Sequence, residues 1–265
     1  MRLYAVVRHV CAQNLAALRL AAAPSFAEWR WALSAVLTRR NGVPVGERQS
    51  LLALIPVWDM CNHRAAGEMS TGYDEQADHV LCRAMQPFGA GEQVYIFYGP
   101  RSHADLLVNN GFLPDDDGDQ PTAADYFLVR LSLNANDPLF AEKKRLVAQH
   151  QLPATGDFAL RVFSPAALAL VFARIARLQA LPKGGEAAAA QALSRQNELD
   201  ACELLSTAVA IALKKTQLAT AGAEREAPSY ARMCALRLRQ METAMTRGFL
   251  DSLGEYKQRI EAGKE

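Results

Sequence analysis

The amino-acid composition of this chain changes near residue 115, and that change limits the folds it can adopt. Before this point the sequence carries most of the glycine, aromatic and strand-like patterns, whereas Ala, Leu, Arg and Glu recur at helical spacing beyond it. An acidic run from Asp115 to Asp119 separates the two parts. Strands followed by helices predict an α+β protein, with a boundary at about 113–124. In the alternative, the acidic run is only a turn.

The charge balance excludes several classes of partner. The chain has 265 residues, of which 50% are hydrophobic. It contains 29 Lys and Arg and 28 Asp and Glu residues, for a net charge of +1. This balance argues against a nucleic-acid binder that depends on bulk charge, although a local basic patch is compatible with it. No run approaches the roughly 18 apolar residues that span a bilayer, so we expect no membrane partner. The 5 scattered cysteines form no disulfide framework, and we expect a reduced, cytoplasmic protein, with the nucleus as a second compartment.

The first part of the chain carries one helix signal and several strand signals. Ser25 with Glu28 three residues later is typical of a capping box, and it predicts a helix that ends near Asn41. A continuous apolar run covers 51–58, and residues 79–85 and 94–98 alternate in the manner of strands. This part is therefore predicted to be rich in short strands.

The second part is predicted to contain only helices. Four of them are expected from capping residues or apolar spacing: one opened by Asp137–Pro138, one opened by Ser164–Pro165, and two around 199–213 and 233–245. Residues 184–190, which are rich in Gly and Ala, are expected to form a loop before a helix. The sequence therefore predicts an all-α unit over 124–265.

Few motifs of this sequence point to chemistry. It lacks a glycine-rich dinucleotide or phosphate loop, a nucleophile elbow and a zinc-protease motif. Cys61 and His63 resemble half of a metal site, but no second pair has zinc spacing, so we expect no metal. Polar residues do concentrate in 38–41, 58–63 and 95–99, next to apolar segments. Such groups need hydrogen-bond partners, which are either the backbone or a ligand, and the pattern alone leaves both open.

Two of these segments carry a resemblance to a known family. Asn62-His63, followed about 35 residues later by Tyr98-Gly99, resembles the signature pair of SET-domain protein methyltransferases, whose two segments meet in a pseudoknot beside S-adenosylmethionine. The helical part resembles the Rubisco-methyltransferase-type substrate-binding domain of one branch. The strings at 30–32, 38–41, 55–63 and 91–102 are similar to the branch that methylates a histidine of actin. The resemblance covers nearly the whole chain and is clearest from 26 to 113.

This resemblance implies a fold, a cofactor and a set of site residues. The fold is a partial, β-rich SET domain over 1–113 and a helical substrate-binding unit over 124–265. The cofactor is S-adenosylmethionine, the protein partner is actin, Tyr98 lies at the methyl-transfer centre, and Asn41 contacts the substrate histidine. Substrate-binding roles are implied for Trp58, Ile96 and Arg101, although core packing is an equal alternative for the first two. Cofactor-binding roles are implied for Arg39, Asp59, Met60, Cys61, Asn62, His63, Asn110 and Phe112.

The chemistry of a histidine acceptor is consistent with these roles. An imidazole has a reference pKa near 6.5, so much of it is a neutral nucleophile at pH 7, whereas a lysine must first lose a proton. Methyl transfer is an in-line displacement that needs alignment rather than an acid or a metal. The site must fix one tautomer, and the carboxamide of Asn41 can bind the ring nitrogen that does not react. A lysine-directed SET enzyme is the weaker alternative, because Asn41 and Trp58 match the histidine-directed branch.

The sequence departs from the family at its front. Family members begin with a further segment, whose glycine-containing turn and strands hold the methionine and ribose end of the cofactor. Each lost hydrogen bond to a charged group weakens binding by about 1.5–3 kcal/mol, so we expect two losses to lower cofactor affinity about a hundredfold or more. The alternative function is therefore a catalytically weak or inactive SET homologue whose helical part binds a protein.

Overall fold

The chain folds into two compact units. The computed structural model describes residues 2–44, 49–64, 71–84, 86–115, 120–164, 167–181, 193–223 and 229–264. Unit 1 comprises Met1–Arg101 and Asp105–Asp116, and unit 2 comprises Ser102–Ala104 and Asp117–Glu265. Both units contain helices and short strands, which confirms the predicted α+β class.

Unit 1 combines helices with pairs of short strands. Its elements in chain order are α1 (Arg2–Gln13), α2 (Phe26–Arg39), β1 (Arg40–Pro44), β2 (Ser50–Leu54), a 3-10 turn (Trp58–Met60), β3 (Asn62–His63), β4 (Thr71–Asp74), β5 (His79–Cys82), β6 (Tyr95–Ile96) and α3 (His103–Asn110). Strands β1 and β2 pair antiparallel, as do β4 and β5, whereas β3 and β6 pair parallel. The parallel pair joins two segments more than thirty residues apart, which local sequence patterns do not specify.

The start of α2 follows the sequence, and its end does not. Ser25 Oγ accepts the Glu28 N–H at 3.3 Å and Ser25 N–H donates to Glu28 Oε2 at 2.8 Å, so the predicted capping box is confirmed. The helix ends at Arg39, and the chain enters β1 directly. Asn41 therefore lies on a strand, opposite Ala53 of β2, and not at the end of the helix as predicted. Pairing with β2 provides partners for the backbone groups of 40–44, which outweighs the helical pattern.

Unit 2 contains a two-stranded antiparallel sheet as well as helices. Its elements are β7 (Phe127–Ser132), α4 (Phe140–Gln149), β8 (Thr155–Leu160), α5 (Leu168–Ala176), α6 (Arg195–Ala223) and α7 (Tyr230–Glu261). The prediction of an all-α unit over 124–265 was therefore wrong in this respect. In β7, Phe127, Val129 and Leu131 are buried while the residues between them are exposed, which is the two-residue period of a half-buried strand. The helical composition around this short segment hid that period.

The predicted helices of unit 2 are present. Most of the apolar residues expected to face the core are buried or half-buried in α5, α6 and α7, but Leu168 and Met233 are exposed; α5 begins at Leu168, and Pro165 lies outside the described residues. Asp137 Oδ1 accepts the Leu139 N–H at 2.8 Å just ahead of α4, which begins at Phe140. The predicted loop at 184–190 also lies outside the described residues. Within the part of the chain described, no helix is both long and apolar enough to cross a membrane.

Two buried polar groups stabilise unit 2. Arg174 of α5 donates two hydrogen bonds of 2.6 Å to the carboxylate of Glu198 in α6, and the Tyr256 hydroxyl of α7 donates to the same carboxylate at 2.8 Å. Separately, His103 Nδ1 and Asp125 Oδ2 lie 2.6 Å apart, and both residues are buried. Both clusters link segments that are distant in sequence, so they fix how those segments pack.

Candidate functional site

The parallel pairing of β3 and β6 assembles the candidate site of unit 1. Asn62 lies opposite Tyr95 and His63 opposite Ile96, so the two signature segments lie side by side. The Tyr98 N–H donates to His63 Nδ1 at 3.2 Å, which means that this ring nitrogen carries a lone pair and the proton of a neutral ring lies on the other one. Gly99 follows with φ of 93°, a backbone conformation that glycine adopts without strain. This turn redirects the chain immediately after Tyr98.

Tyr98 is held as a neutral phenol. Its hydroxyl donates to the carbonyl oxygen of Cys61 at 2.7 Å. Burial raises the pKa of Tyr98, the nearby Cys61 raises it further, and the lowering by Arg101 and Arg39 does not offset this. Its ring lies beside that of His63, with 5.1 Å between centroids, and edge-on to that of Phe112 at 6.5 Å. The hydroxyl proton is thus used in the hydrogen bond to Cys61, and the oxygen retains lone pairs for another contact.

The side-chain amide of Asn41 offers an acceptor oxygen in the candidate site. Its Nδ2 donates to the Arg39 carbonyl oxygen at 2.9 Å, which assigns the orientation of the amide. Its Oδ1 makes no hydrogen bond to any described residue. The side chain is half-buried and lies on β1. Asn41 can therefore accept a hydrogen bond from the N–H of a ligand.

Arg39 ties α2 to the 3-10 turn. Its guanidinium donates to the Asp59 carbonyl oxygen at 3.0 Å and contacts the sulfur of Met60 at 2.9 Å. These contacts fix the turn against the end of the helix, so part of the donor capacity of Arg39 is used within the protein. The Cys61 thiol follows this turn, and its pKa is raised by burial and by the Asp59 carboxylate. A raised pKa keeps this thiol protonated and unreactive.

Arg101 and Asn110 form a brace behind Tyr98. Arg101 Nε donates to the Tyr98 carbonyl oxygen at 3.1 Å, and its Nη1 donates to Asn110 Oδ1 at 3.0 Å. Asn110 Nδ2 then donates to the Thr38 carbonyl oxygen at 3.2 Å. The brace thus connects Tyr98, α3 and the end of α2. Sequence reasoning implied a substrate contact for Arg101 and a cofactor contact for Asn110, and it missed these internal bonds.

A small cavity lies at the centre of these contacts. Its volume is about 20 Å³, enough for roughly one water molecule. It is lined by Thr38, Arg39, Arg40, Asn41, Asp59, Ile96, Tyr98, Arg101 and Asn110. Its lining contains three arginines and one aspartate, and an excess of positive charge disfavours a protonated, cationic group in contact with it.

The structure divides the sequence-predicted site residues into three groups. Around the cavity lie Arg39, Asn41, Asp59, Ile96, Tyr98, Arg101 and Asn110. His63 and Phe112 pack on Tyr98, and Cys61 contacts it through its carbonyl oxygen. The remaining three, Trp58, Met60 and Asn62, do not line the cavity: Trp58 Nε1 donates to Thr71 Oγ1 at 2.8 Å, and the other two are exposed.

Three residues near the site were missed by sequence reasoning. Thr38 and Arg40 line the cavity, and Phe97 stacks on the His63 ring with 5.8 Å between centroids. Each lies directly beside a predicted site residue in the sequence. Their position next to predicted site residues was therefore the only signal in the sequence. It gave no reason to prefer these three residues to the other residues that flank the predicted site.

Comparison with protein families finds a match in the helical unit. Residues 134–245 match the family model described as Rubisco LSMT substrate-binding.

Curated proteins are also similar to this chain. The chain is 39% identical over 165 residues to a Danio rerio protein named actin-histidine N-methyltransferase, an alignment that covers 61% of this chain and 27% of that protein. The Homo sapiens protein of the same name is 39% identical over 154 residues, covering 57% of this chain and 25% of that protein. The chain thus spans about a quarter of the length of the curated relatives it matches.

Solved structures share its fold. The SET domain of LSMT bound to lysine and AdoHcy superposes with a TM-score of 0.72 at 18% identity, covering 98% of this chain and 64% of that chain. Rubisco LSMT bound to AdoMet superposes with a TM-score of 0.69 at 19% identity, covering 98% and 63%. The chain therefore has the fold seen in these SET-domain structures, of which it spans less than two thirds.

Proposed function

We propose that this chain carries the methyl-transfer centre of an S-adenosylmethionine-dependent protein-histidine N-methyltransferase, with a histidine of actin as the acceptor. The observation that carries the proposal is the arrangement of Asn41 and Tyr98 at one small cavity, where Asn41 Oδ1 is available as an acceptor. The names of the curated relatives support the choice of actin and of histidine.

The cavity chemistry favours a neutral imidazole over an ammonium group. Asn41 Oδ1 accepts the N–H of the acceptor ring, which fixes the tautomer and leaves the lone pair of the other ring nitrogen free to react. The arginines of the cavity lower the pKa of a nearby base, so they keep an imidazole neutral. A lysine ammonium would meet the same positive charge.

Tyr98 orients the reacting groups rather than transferring a proton. Its hydroxyl proton is bound to the Cys61 carbonyl oxygen, and its pKa is raised by burial, so it stays neutral at physiological pH. The lone pairs of its oxygen are then the groups that remain to contact a methyl group in the reaction path. The brace of Arg101 and Asn110 keeps this oxygen in place relative to Asn41.

The described residues fit one part of the cofactor. When bound, S-adenosylmethionine supplies the methyl group from a sulfonium cation, and aromatic faces attract such cations. Tyr98 and Phe112, next to His63, offer these faces. Ligand pockets commonly occupy about 300–1,000 Å³, whereas this cavity measures about 20 Å³. We therefore assign the aromatic group to one wall of the donor site and the cavity to the acceptor side.

The test is methylation of purified actin by the chain, followed by mass spectrometry of the histidine-containing peptides. We expect Asn41→Ala and Tyr98→Phe to reduce turnover at least tenfold, since each removes a contact made to the reacting groups. Asn14→Ala is the matched control, because Asn14 also donates a local side-chain bond to a carbonyl oxygen, at 2.8 Å, but lies on an exposed surface. Undiminished methylation by the Asn41→Ala chain refutes the assignment.

A second candidate is a protein-binding module that does not catalyse. The observation that favours it is the small cavity together with the internal bonds of Arg39, Arg101 and Asn110, which leave few free donors for a cofactor. Calorimetric titration with S-adenosylhomocysteine separates the two functions. Heats that fit a micromolar Kd support the enzyme, and the lack of any heat at millimolar concentration supports the module.

The partner and compartment follow from the enzyme proposal. Actin is the protein partner, which places the chain in the cytoplasm, with the nucleus as the second compartment. Fractionation of cells that express a tagged chain, with actin co-precipitation before and after Asn41→Ala, tests both assignments.

A further inference from the structure

A second groove lies within unit 2. Its volume is about 660 Å³, which is within the range of ligand-binding clefts. Strand β7 forms one wall, α6 forms the other, and α7 contributes Glu242 and Thr246. All residues that line it belong to unit 2.

The wall formed by β7 is a strand edge. Phe127 and Leu131 point to the core while Leu128 and Arg130 point to solvent, yet all four line the groove. Residues from both faces of a strand meet only along its edge. Among the described strands, β7 pairs with β8 alone, so this edge has no strand partner. Its free N–H and C=O groups can pair with an added strand.

The wall formed by α6 leaves room for side chains. Ala208 and Ala212 line the groove, and between them Ile211 is 52% exposed. The lining residues of α6 extend from Leu204 to Thr216, about 18 Å at 1.5 Å per residue. Strand β7 extends over about 17 Å at 3.3 Å per residue, so the two walls match in length. An extended segment of five or six residues fits between them.

The groove carries one acidic group that forms no hydrogen bond or ion pair with the residues described. Arg130 and Asp157 pair with each other at 3.2 Å, and Lys215, which also lines the groove, is exposed. The carboxylate of Glu242 has no hydrogen bond or ion pair to any residue that the structure describes. Burial raises the pKa of Glu242, Arg239 lowers it less, and Asp125 raises it further, as expected for a partly desolvated carboxylate. A cation in the groove would relieve this penalty.

We propose that this groove binds an extended segment of a partner protein, which adds as a strand along β7 and places a Lys or Arg against Glu242. The free strand edge supplies main-chain hydrogen bonds, Leu128 and Ile211 contact alternate apolar side chains, and Glu242 selects a basic residue. This binding needs neither a methyl donor nor the cavity at Tyr98, and therefore does not depend on the proposed function.

The test is selection of a random heptapeptide display library on the purified full chain, without methyl donor. We expect enriched peptides that alternate apolar residues and contain Lys or Arg. A synthetic copy of the leading peptide should bind Glu242→Gln about tenfold more weakly, the effect of one lost charged hydrogen bond. Ile211→Glu should also weaken binding. The controls Glu255→Gln and Leu168→Glu alter exposed residues outside the groove and should bind normally.

Hydrogen exchange gives an independent readout, because an added strand should protect backbone amides in 126–132. The proposal is overturned by a library that shows no enrichment over a chain-free control, by peptides that bind Glu242→Gln and Ile211→Glu normally, or by protection confined to other segments. A chain that dimerises, and becomes monomeric on Ile211→Glu, would show that a second copy occupies the groove, which also overturns it.

Discussion

Asn110→Ala tests whether the brace behind Tyr98 is structural. Sequence resemblance implies a cofactor contact for Asn110, whereas both polar atoms of its amide are bonded within the protein, to Arg101 at 3.0 Å and to the Thr38 carbonyl oxygen at 3.2 Å. The two roles predict different results in the absence of cofactor. A brace contributes to the stability of the free chain, and a cofactor contact contributes only to affinity.

The expected effect follows from the two bonds. The bond from a guanidinium is worth about 1.5–3 kcal/mol and the bond to a carbonyl about 0.5–1.5 kcal/mol. Because Asn110 is only half-buried, water replaces part of both interactions, and we expect a loss of about 1–3 kcal/mol in the free energy of unfolding. For a unit of this size, roughly 4 °C of Tm corresponds to each kcal/mol.

The assay is thermal and urea unfolding of the chain without ligand, followed by titration with S-adenosylhomocysteine. Asn109→Ala is the matched control, since Asn109 is the preceding residue of α3 and no hydrogen bond of its side chain is found among the described residues. An Asn110→Ala chain as stable as the Asn109→Ala chain, but with weaker affinity for the ligand, would refute the brace and restore the cofactor role.

Three further outcomes are expected. Glu198→Gln removes the carboxylate that pairs with the buried guanidinium of Arg174. Urea unfolding should therefore show a loss of about 3–5 kcal/mol in the free energy of unfolding. Most of this stability should be recovered in a double variant that replaces the two residues by Leu and Met. Burial by itself raises the pKa of Asp125, but its hydrogen bonds outweigh burial and hold the pKa below the ordinary 3.8. The stabilising effect of Asp125 is therefore present above about pH 4 and is lost as the pH falls through the lower pKa of the folded state. Asp125→Asn should be less stable at pH 7 and should lose less stability on acidification, and an unchanged acid profile would contradict this. Trp58→Phe and Thr71→Val should each destabilise by about 0.5–1.5 kcal/mol, and the double variant by no more than the larger single effect, because they share one hydrogen bond.

Local features of the fold were predictable from the sequence. The capping box of α2 depends on residues three positions apart, and the buried faces of α5, α6 and α7 depend on the helical period. A short stretch of sequence is therefore enough to predict both features. The antiparallel pair of β7 and β8 was missed, although β7 alternates, because six residues give a weak signal within a helical composition.

The sequence by itself determined which residue types are available to the site: the Asn62-His63 and Tyr98-Gly99 pairs, and Asn41 within a polar segment. Only the tertiary structure decided what each does, since β3 and β6 must pair in parallel before these segments meet. The fold made Arg101 and Asn110 an internal brace, and it left the Asn41 amide oxygen open while the amide nitrogen donates to the Arg39 carbonyl oxygen. Hydrogen-bond partners are chosen by proximity in space, and contacts between distant segments have no period in the sequence from which they could be read.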